Sequence, residues 1–259
     1  MDNKYTLKIF RGTPGNQYWE EFELERNSAA NVISALMEIQ KNPINKKGEV
    51  TTPVAWEQGC LEEVCGSCSM LINGKPRQSC TALIENYIQS TGSTTITLAP
   101  FTKFPLIRDL CVDRTSMFES LKKIRGWVSV DGSEDTGQFG PSISHEVQEA
   151  MYTLSTCMTC GCCTESCPQV NEKSDFMGPA AMSQIRFFNA NPTGKLEKSD
   201  RMRVAMGDEG IAGCGNAQNC VKVCPKNIPL TESLALIGRE ASKQAIKDFL
   251  GLPDAGNID

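Results

Sequence analysis

Apolar and polar residues alternate at the start of the chain: Tyr5, Leu7 and Ile9 fall on one side of an extended segment, Thr6, Lys8 and Phe10 on the other. This imperfect period of two predicts a strand. Tyr18, Glu20, Phe22 and Leu24 predict a second, paired with the first across the turn Gly12-Thr13-Pro14-Gly15. Asn27 and Ser28 then read as a helix cap, because Val32, Leu36 and Ile39 follow at spacings of four and three, one apolar helical face. Residues 69–72 and 78–83 read as strands joined through Asn73-Gly74, a dipeptide suited to a tight hairpin. Residues 94–98 supply another strand before Pro100. Strand, strand, helix and returning strands predict a small mixed sheet with the helix packed across it.

After Pro105 the pattern changes. Residues 117–124, 145–156, 180–189, 198–206 and 231–249 read as helices, separated by cysteine-rich or glycine-rich loops, with a break at Asn191-Pro192-Thr193-Gly194. The chain is thus expected to divide into residues 1–105 and 106–259. Lys195, Lys198, Arg201 and Arg203 read as a solvated helix face rather than a surface for a membrane anchor or lipid headgroups.

A length of 259 residues suits two modest domains. The formal charge of −5 gives no basic patch for nucleic acid. No segment approaches the roughly 18 consecutive apolar residues that span a bilayer, so membrane association is expected only through a partner. The first ten residues lack the order of a secretory signal, which places the chain in the cytoplasm, where thiols stay reduced. Thirteen cysteines in such a compartment point to metal ligation. The single histidine, His145, is too few for a Rieske centre, which needs two, and reads as a surface residue near a helix start.

Cys60, Cys65 and Cys68 have the C-x4-C-x2-C spacing of a plant-type 2Fe–2S ferredoxin, and Cys80 follows twelve residues on. Gly59 and Gly66 permit a tight loop whose N–H groups can face sulfur. A thioredoxin-like pair at Cys65 and Cys68 is disfavoured, because that motif opens a helix and this one precedes an expected strand. A structural zinc on four cysteines is the bland alternative.

Cys157, Cys160, Cys163 and Cys167-Pro168 reproduce the bacterial ferredoxin run C-x2-C-x2-C-x3-C-P, whose fourth cysteine ligates the other cluster of a two-cluster protein. The partner run is Cys214, position 217, Cys220 and Cys224-Pro225, and position 217 is Ala217. Crossed ligation then assigns Cys157, Cys160, Cys163 and Cys224 to a 4Fe–4S cluster. Cys167, Cys214 and Cys220 are left as three thiolates around a site with no protein ligand at one corner. Such a site either loses that iron, giving the 3Fe–4S cluster that suits electron transfer, or presents it to an external ligand, as a catalytic or radical site would. Two zinc sites are the alternative. Of the two spare cysteines, Cys162 lies inside the ligand loop but out of register and reads as buried packing, as does Cys111.

These motifs, in this order, resemble the iron–sulfur subunit of succinate dehydrogenase and fumarate reductase over essentially the whole chain. The marks are Cys60-Leu61-Glu62-Glu63-Val64-Cys65-Gly66-Ser67-Cys68, Asn73-Gly74, Pro105-Leu106-Ile107-Arg108-Asp109, the run from Cys157 to Pro168, Gly178-Pro179-Ala180, and Cys220-Val221-Lys222-Val223-Cys224-Pro225. The resemblance implies an α+β chain: an N-terminal β-grasp plant-type 2Fe–2S ferredoxin domain, then a C-terminal α-helical bacterial-type two-cluster ferredoxin domain. It implies a flavoprotein partner that oxidises succinate on covalently bound FAD, and a membrane anchor that handles quinone. Electrons would pass from FAD through 2Fe–2S, 4Fe–4S and 3Fe–4S to that anchor, with this subunit peripheral on the cytoplasmic face of the cell membrane and making no bond in the substrate. Fumarate reductase runs the same chain in reverse.

Members that reduce ubiquinone beside the three-iron cluster typically carry a tryptophan shortly after the Cys-Pro and a histidine after the first cysteine of the last run. Here Val170-Asn171-Glu172 follow Cys167-Pro168-Gln169, and Gly215 follows Cys214. Residues 42–49 and 176–186 are instead similar to the menaquinone-using branch, whose anchor is a single cytochrome b subunit with two haems.

Overall fold

The computed structural model describes residues 3–129 and 140–254. Its strands are β1 (Lys4–Thr13), β2 (Asn16–Glu25), β3 (Ser69–Ile72), β4 (Lys75–Gln78), β5 (Thr95–Ala99), β6 (Leu106–Arg108) and β7 (Cys111–Val112). Its helices are α1 (Val32–Lys41), α2 (Ile84–Thr91), α3 (Thr115–Lys123), α4 (His145–Ser155) and α5 (Cys162–Ser166). They continue with α6 (Pro179–Ala190), α7 (Lys198–Met206), α8 (Asn219–Val223) and α9 (Leu230–Phe249), with short 3-10 turns at Gly194–Glu197 and Ile211–Gly213. The chain forms two compact units: Met1–Arg114 with Met158–Ser166, and Thr115–Cys157 with Cys167–Asp259.

The first unit is built on a five-stranded sheet in the order β2-β1-β5-β3-β4. β1 pairs antiparallel with β2 and parallel with β5, so the sheet is mixed, as the pattern of elements predicts. The alternation along β1 is borne out: Tyr5, Leu7 and Ile9 are buried with Phe22, Ile72, Ile96 and Leu98 against Val32, Leu36 and Ile39 of α1. Arg11 continues the buried side. Its guanidinium donates to Asp109 (3.2 Å), Glu20 (2.6 Å) and the Thr52 carbonyl (2.9 Å), which makes its burial tolerable. The β3–β4 hairpin turns at Asn73 and Gly74, both at positive φ, the geometry a two-residue hairpin needs.

Two local expectations are corrected. The cap of α1 is Asn31, not Asn27 or Ser28. Asn31 Oδ1 accepts from Ser34 N (2.8 Å) and Ser34 Oγ accepts from Asn31 N (2.9 Å), a reciprocal box. Asn27 instead closes its own turn by accepting from Ala29 N (3.0 Å). The strand expected over 78–83 ends at Gln78, and Ile84 opens α2. Ile84 and Ile88, four apart, bury one helical face, a period that the run Thr81–Ile84 is too short to reveal.

The second unit is helical. The α6 face carrying Ala181, Met182 and Ile185 is buried, as is the α9 face carrying Leu234, Ile237 and Ala241. The helices expected after residue 105 from periodicity are present, with every end within two residues of its expected place. In the basic stretch 195–203, Lys195 and Arg203 are exposed as expected of a solvated face, but Arg201 is not part of it. Arg201 is fully buried and donates to the carbonyls of Arg125 (2.9 Å), Trp127 (2.8 Å) and Gly194, and to Glu197 (3.1 Å). Lys198 pairs with Glu240 (2.7 Å), and Arg203 with Asp248 (2.8 Å) and Asp254 (2.9 Å). A guanidinium can satisfy several carbonyls at once, so an arginine in a charged-looking run can be core.

Candidate metal centres

None of the thirteen cysteines, all among the described residues, forms a disulfide. In the first unit, Cys60 and Cys65 lie in a loop in which Leu61, Glu63 and Gly66 have positive φ. Alternation of that conformation turns successive amides the same way. The N–H groups of Glu62 (3.3 Å), Val64 (3.2 Å) and Cys65 (3.3 Å) all donate to Cys60 Sγ, and Cys60 N–H donates to Cys65 Sγ (3.4 Å). The Ser67 side chain and the amides of Cys60 and Ser67 bring the Cys65 thiol down to about 6, despite some burial. Gly59 leaves the room this needs, since a Cβ there would sit 2.9 Å from Cys65 Sγ. Cys68 and Cys80 are buried beside Ile33 and Trp56, and burial pushes the Cys68 thiol up to about 11. The Ser79 hydroxyl, next to Cys80, is buried with no hydrogen-bond partner. Four thiols, inward-facing amides and an orphaned hydroxyl fit an anionic iron–sulfur cluster, which needs thiolate ligands and amide donors to its sulfurs.

Residues 158–166 pack within this same unit. Gly161, at positive φ, lies against the rings of Phe101 and Phe104, where a Cβ would come within 3.1 Å. Glu165 accepts from Thr102 N (3.0 Å), Thr102 Oγ1 (2.7 Å) and Lys103 N (3.1 Å). A Cβ on Gly66 would sit 2.9 Å from the Cβ of Cys160, so the two ligand loops touch here backbone to backbone. Cys160 and Cys163 are buried. The neighbouring Cys162 thiol brings Cys160 down to about 7 against the effect of burial, and the Arg114 cation adds to this. Cys162 itself is wholly buried and pushed strongly up, first by Cys160 and then by burial. Arg114 holds the Ser67 (3.2 Å) and Ser69 (3.3 Å) carbonyls, on either side of Cys68, and pairs with Glu57 (3.2 Å). In the second unit, Cys157 follows α4 and Cys224 follows α8.

Also in the second unit, Cys167, Cys214 and Cys220 line one cavity of about 320 Å³, part of it open to solvent, and Ala217 lines it with them. Its wall is shaped by glycines: a Cβ at Gly213 would meet the Phe176 ring at 2.8 Å, and one at Gly215 the Gln169 amide at 2.5 Å. Burial, with the charges of Cys167 and Cys214, pushes the Cys220 thiol up. Three thiols around one space fit a cluster that takes three protein sulfurs. Among the described residues no three His, Cys, Asp or Glu side chains converge tightly enough for a single ion. A cluster spaces its ligand sulfurs more widely, because its own irons and sulfides stand between them. Outside these groups, Cys111 on β7 is half-buried, with its thiol pushed up to about 11 chiefly by burial, and His145 is exposed at the start of α4.

Comparison with known proteins gives the context for these sites. A 2Fe-2S iron-sulfur cluster binding domain family matches residues 6–119, and a 4Fe-4S dicluster domain family matches residues 153–228. The succinate dehydrogenase iron–sulfur subunit of Bacillus subtilis is 56% identical over 234 residues, covering 90% of each chain. The chain belongs to the succinate dehydrogenase and fumarate reductase iron–sulfur subunit family. A fumarate reductase iron–sulfur subunit of this family, from Wolinella succinogenes, is 26% identical over 245 residues, 93% of this chain and 98% of its own. A chain of the Mycobacterium smegmatis Sdh1 complex in the apo form shares the fold, with a TM-score of 0.79 at 23% identity, over 94% of this chain and 97% of that one. The α+β architecture expected of the family, a ferredoxin-like sheet domain followed by a helical dicluster region, is thereby established.

Sequence spacing alone located the thiols. It gave no sign of Glu165, in the second ligand run, which reaches Thr102 across 63 residues, nor of Arg114 and Gln78, whose contacts with the ligand loops span 47 and 84 residues.

Proposed function

We propose that this chain is the iron–sulfur electron-transfer subunit of a membrane-bound succinate:menaquinone oxidoreductase. The observation that carries the reading is the combination of a cysteine loop, residues 60–68, whose amides donate to Cys60 and Cys65, with a three-thiol cavity in which Ala217 takes the fourth place. Cys60, Cys65, Cys68 and Cys80 would hold a 2Fe–2S cluster, Cys157, Cys160, Cys163 and Cys224 a 4Fe–4S cluster, and Cys167, Cys214 and Cys220 a 3Fe–4S cluster. When bound, these groups supply one-electron carriers in that order between FAD and quinone. The chain's own residues hold and tune them. The Cys60–Cys65 loop offers amides to anionic sulfur, Glu165 and Phe104 fix the second ligand loop, and the Ala217 methyl denies a fourth thiolate to the third site.

In this reading the partners are an FAD-containing flavoprotein and a membrane-anchor cytochrome b subunit with haem and quinone. No described helix is long and apolar enough to cross a membrane, so attachment to the cytoplasmic face of the membrane comes through that anchor. Menaquinone is favoured over ubiquinone by the residues at the third site. Gly215 stands where ubiquinone-reducing members carry histidine, and the Gln169 amide fills the space beside it. The Wolinella relative keeps a second reading in view, a fumarate reductase subunit working in reverse; the 56% identity to a succinate dehydrogenase subunit favours the first.

Purification from native membranes tests the assembly. The chain is expected to travel with a polypeptide carrying flavin and another carrying haem b, and the preparation to reduce a menaquinone analogue with succinate. Recovery of the chain always alone, without flavin or haem, contradicts the proposal.

A further inference from the structure

Gln78 ends β4 with its side chain wholly buried. Its Nε2 donates to Ser69 Oγ (2.7 Å) and to Cys162 Sγ (3.6 Å), while its Oε1 accepts from the Cys68 thiol (3.5 Å). Ser69 Oγ in turn donates to the Gly66 carbonyl (2.6 Å). One carboxamide therefore touches a cysteine proposed to ligate the first cluster and a cysteine, not proposed as a ligand, in the loop that serves the second. Filling space does not need an amide here; a leucine has nearly the same volume and no polar atoms to satisfy.

As a cluster ligand, Cys68 is a thiolate and has no proton to give. Turning the carboxamide over places Nε2 against Cys68 and Oε1 against Ser69 and Cys162, the two termini being nearly the same size. The Ser69 hydroxyl then turns its proton from the Gly66 carbonyl to Oε1, and the Cys162 thiol donates to the same oxygen. The Cys68 sulfur gains an N–H, at the expense of the Ser69 bond to the Gly66 carbonyl. Arg114 grips the carbonyls of Ser67 and Ser69 independently, so the loop does not depend on Gln78 for its position.

We propose that Gln78 is a positioning residue of the first cluster: held from behind by Cys162, its carboxamide donates to the Cys68 sulfur and raises the potential at which that cluster accepts an electron. The physical reason is that a donor offsets negative charge on sulfur, and that charge is greater in the reduced state, so reduction is favoured. Cys162 contributes at one remove, by polarising the amide from its oxygen end. The inference rests on the reading of Cys68 as a cluster ligand.

The test is an EPR-monitored redox titration of the intact complex, with Gln78→Leu, Cys162→Ala and the double variant beside the unaltered protein. The two-iron signal is expected in all four. The midpoint should move to more negative potential in Gln78→Leu and by less in Cys162→Ala, and the double variant should match Gln78→Leu alone. An unmoved midpoint in Gln78→Leu with the signal intact overturns the proposal, as does a Cys162→Ala shift that adds in full to that of Gln78→Leu. If Gln78→Leu fails to take up iron, Cys162→Ala decides: Cys162 is not itself a proposed ligand, its contact with the first site runs through Gln78, and an unchanged midpoint there overturns the proposal. Absence of any two-iron signal in the unaltered protein would instead remove Cys68 as a ligand, and the inference with it.

Discussion

At position 217 the chain carries a methyl group where the matching place in the run 157–168 carries a thiol, Cys160. Ala217 nevertheless lines the same cavity as Cys167, Cys214 and Cys220, so a thiol there would face the same space. Ala217→Cys is expected to raise the iron content of the purified chain by completing a four-thiolate site. The added negative charge should also lower that site's potential, and redox titration reads this directly. Unchanged iron content and an unchanged cluster type would count against the ligand set. A second single-residue effect belongs to Glu165, which serves two backbone amides and a hydroxyl of residues 102–103. Glu165→Ala leaves those donors unsatisfied and should cost roughly 1–3 kcal/mol, whereas Glu165→Gln keeps an acceptor and should cost less. Urea denaturation of the two variants checks the order. The proposed ligands could be picked out in the sequence because cysteine spacing is a local pattern. Glu165 and Gln78 could not, because what they do is set by partners far along the chain.

Among the elements, strands and long helices were legible where side-chain periodicity was sustained, as in β1 and α9. Short elements were not. The five residues of α5 and of α8 are too few to show a helical period, and both sit inside ligand runs where cysteine spacing dominates the pattern. The start of α1 was misplaced because Asn27 and Asn31 both suit a cap, and only the reciprocal bond with Ser34 separates them. That cap has a second duty, since Asn31 Nδ2 donates to the Cys80 carbonyl (2.9 Å). Asn31→Ala should therefore lower stability by about 1 kcal/mol through the lost cap, and also loosen the first site. Asn31→Asp restores the cap but cannot donate to Cys80. Thermal melts should rank Asp near the native protein, while release of iron from the first cluster to a chelator should be faster in both variants. Equal release rates in all three proteins would show that the Cys80 contact is idle.

For the molecule as a whole, the proposal assigns eleven of thirteen cysteines to three sites; the thiols of the remaining two are pushed up, Cys111 chiefly by burial and Cys162 first by Cys160 and then by burial. The packing of residues 158–166 with the sheet unit was not visible in the sequence. It depends on a glycine between two phenylalanines and on one buried carboxylate, and both Gly161 and Glu165 sit at positions of the run 157–168 that the cysteine spacing leaves unspecified. What the sequence did carry was the spacing of the cysteines, and the three-iron site proposed from it is the part of the reading most open to test. Low-temperature EPR of the purified complex tests it most directly. The account predicts a three-iron signal in the fully oxidised protein, equal in amount to the chain, and a two-iron signal that emerges on reduction. An oxidised protein without the three-iron signal, or one whose cysteines hold zinc, would contradict it.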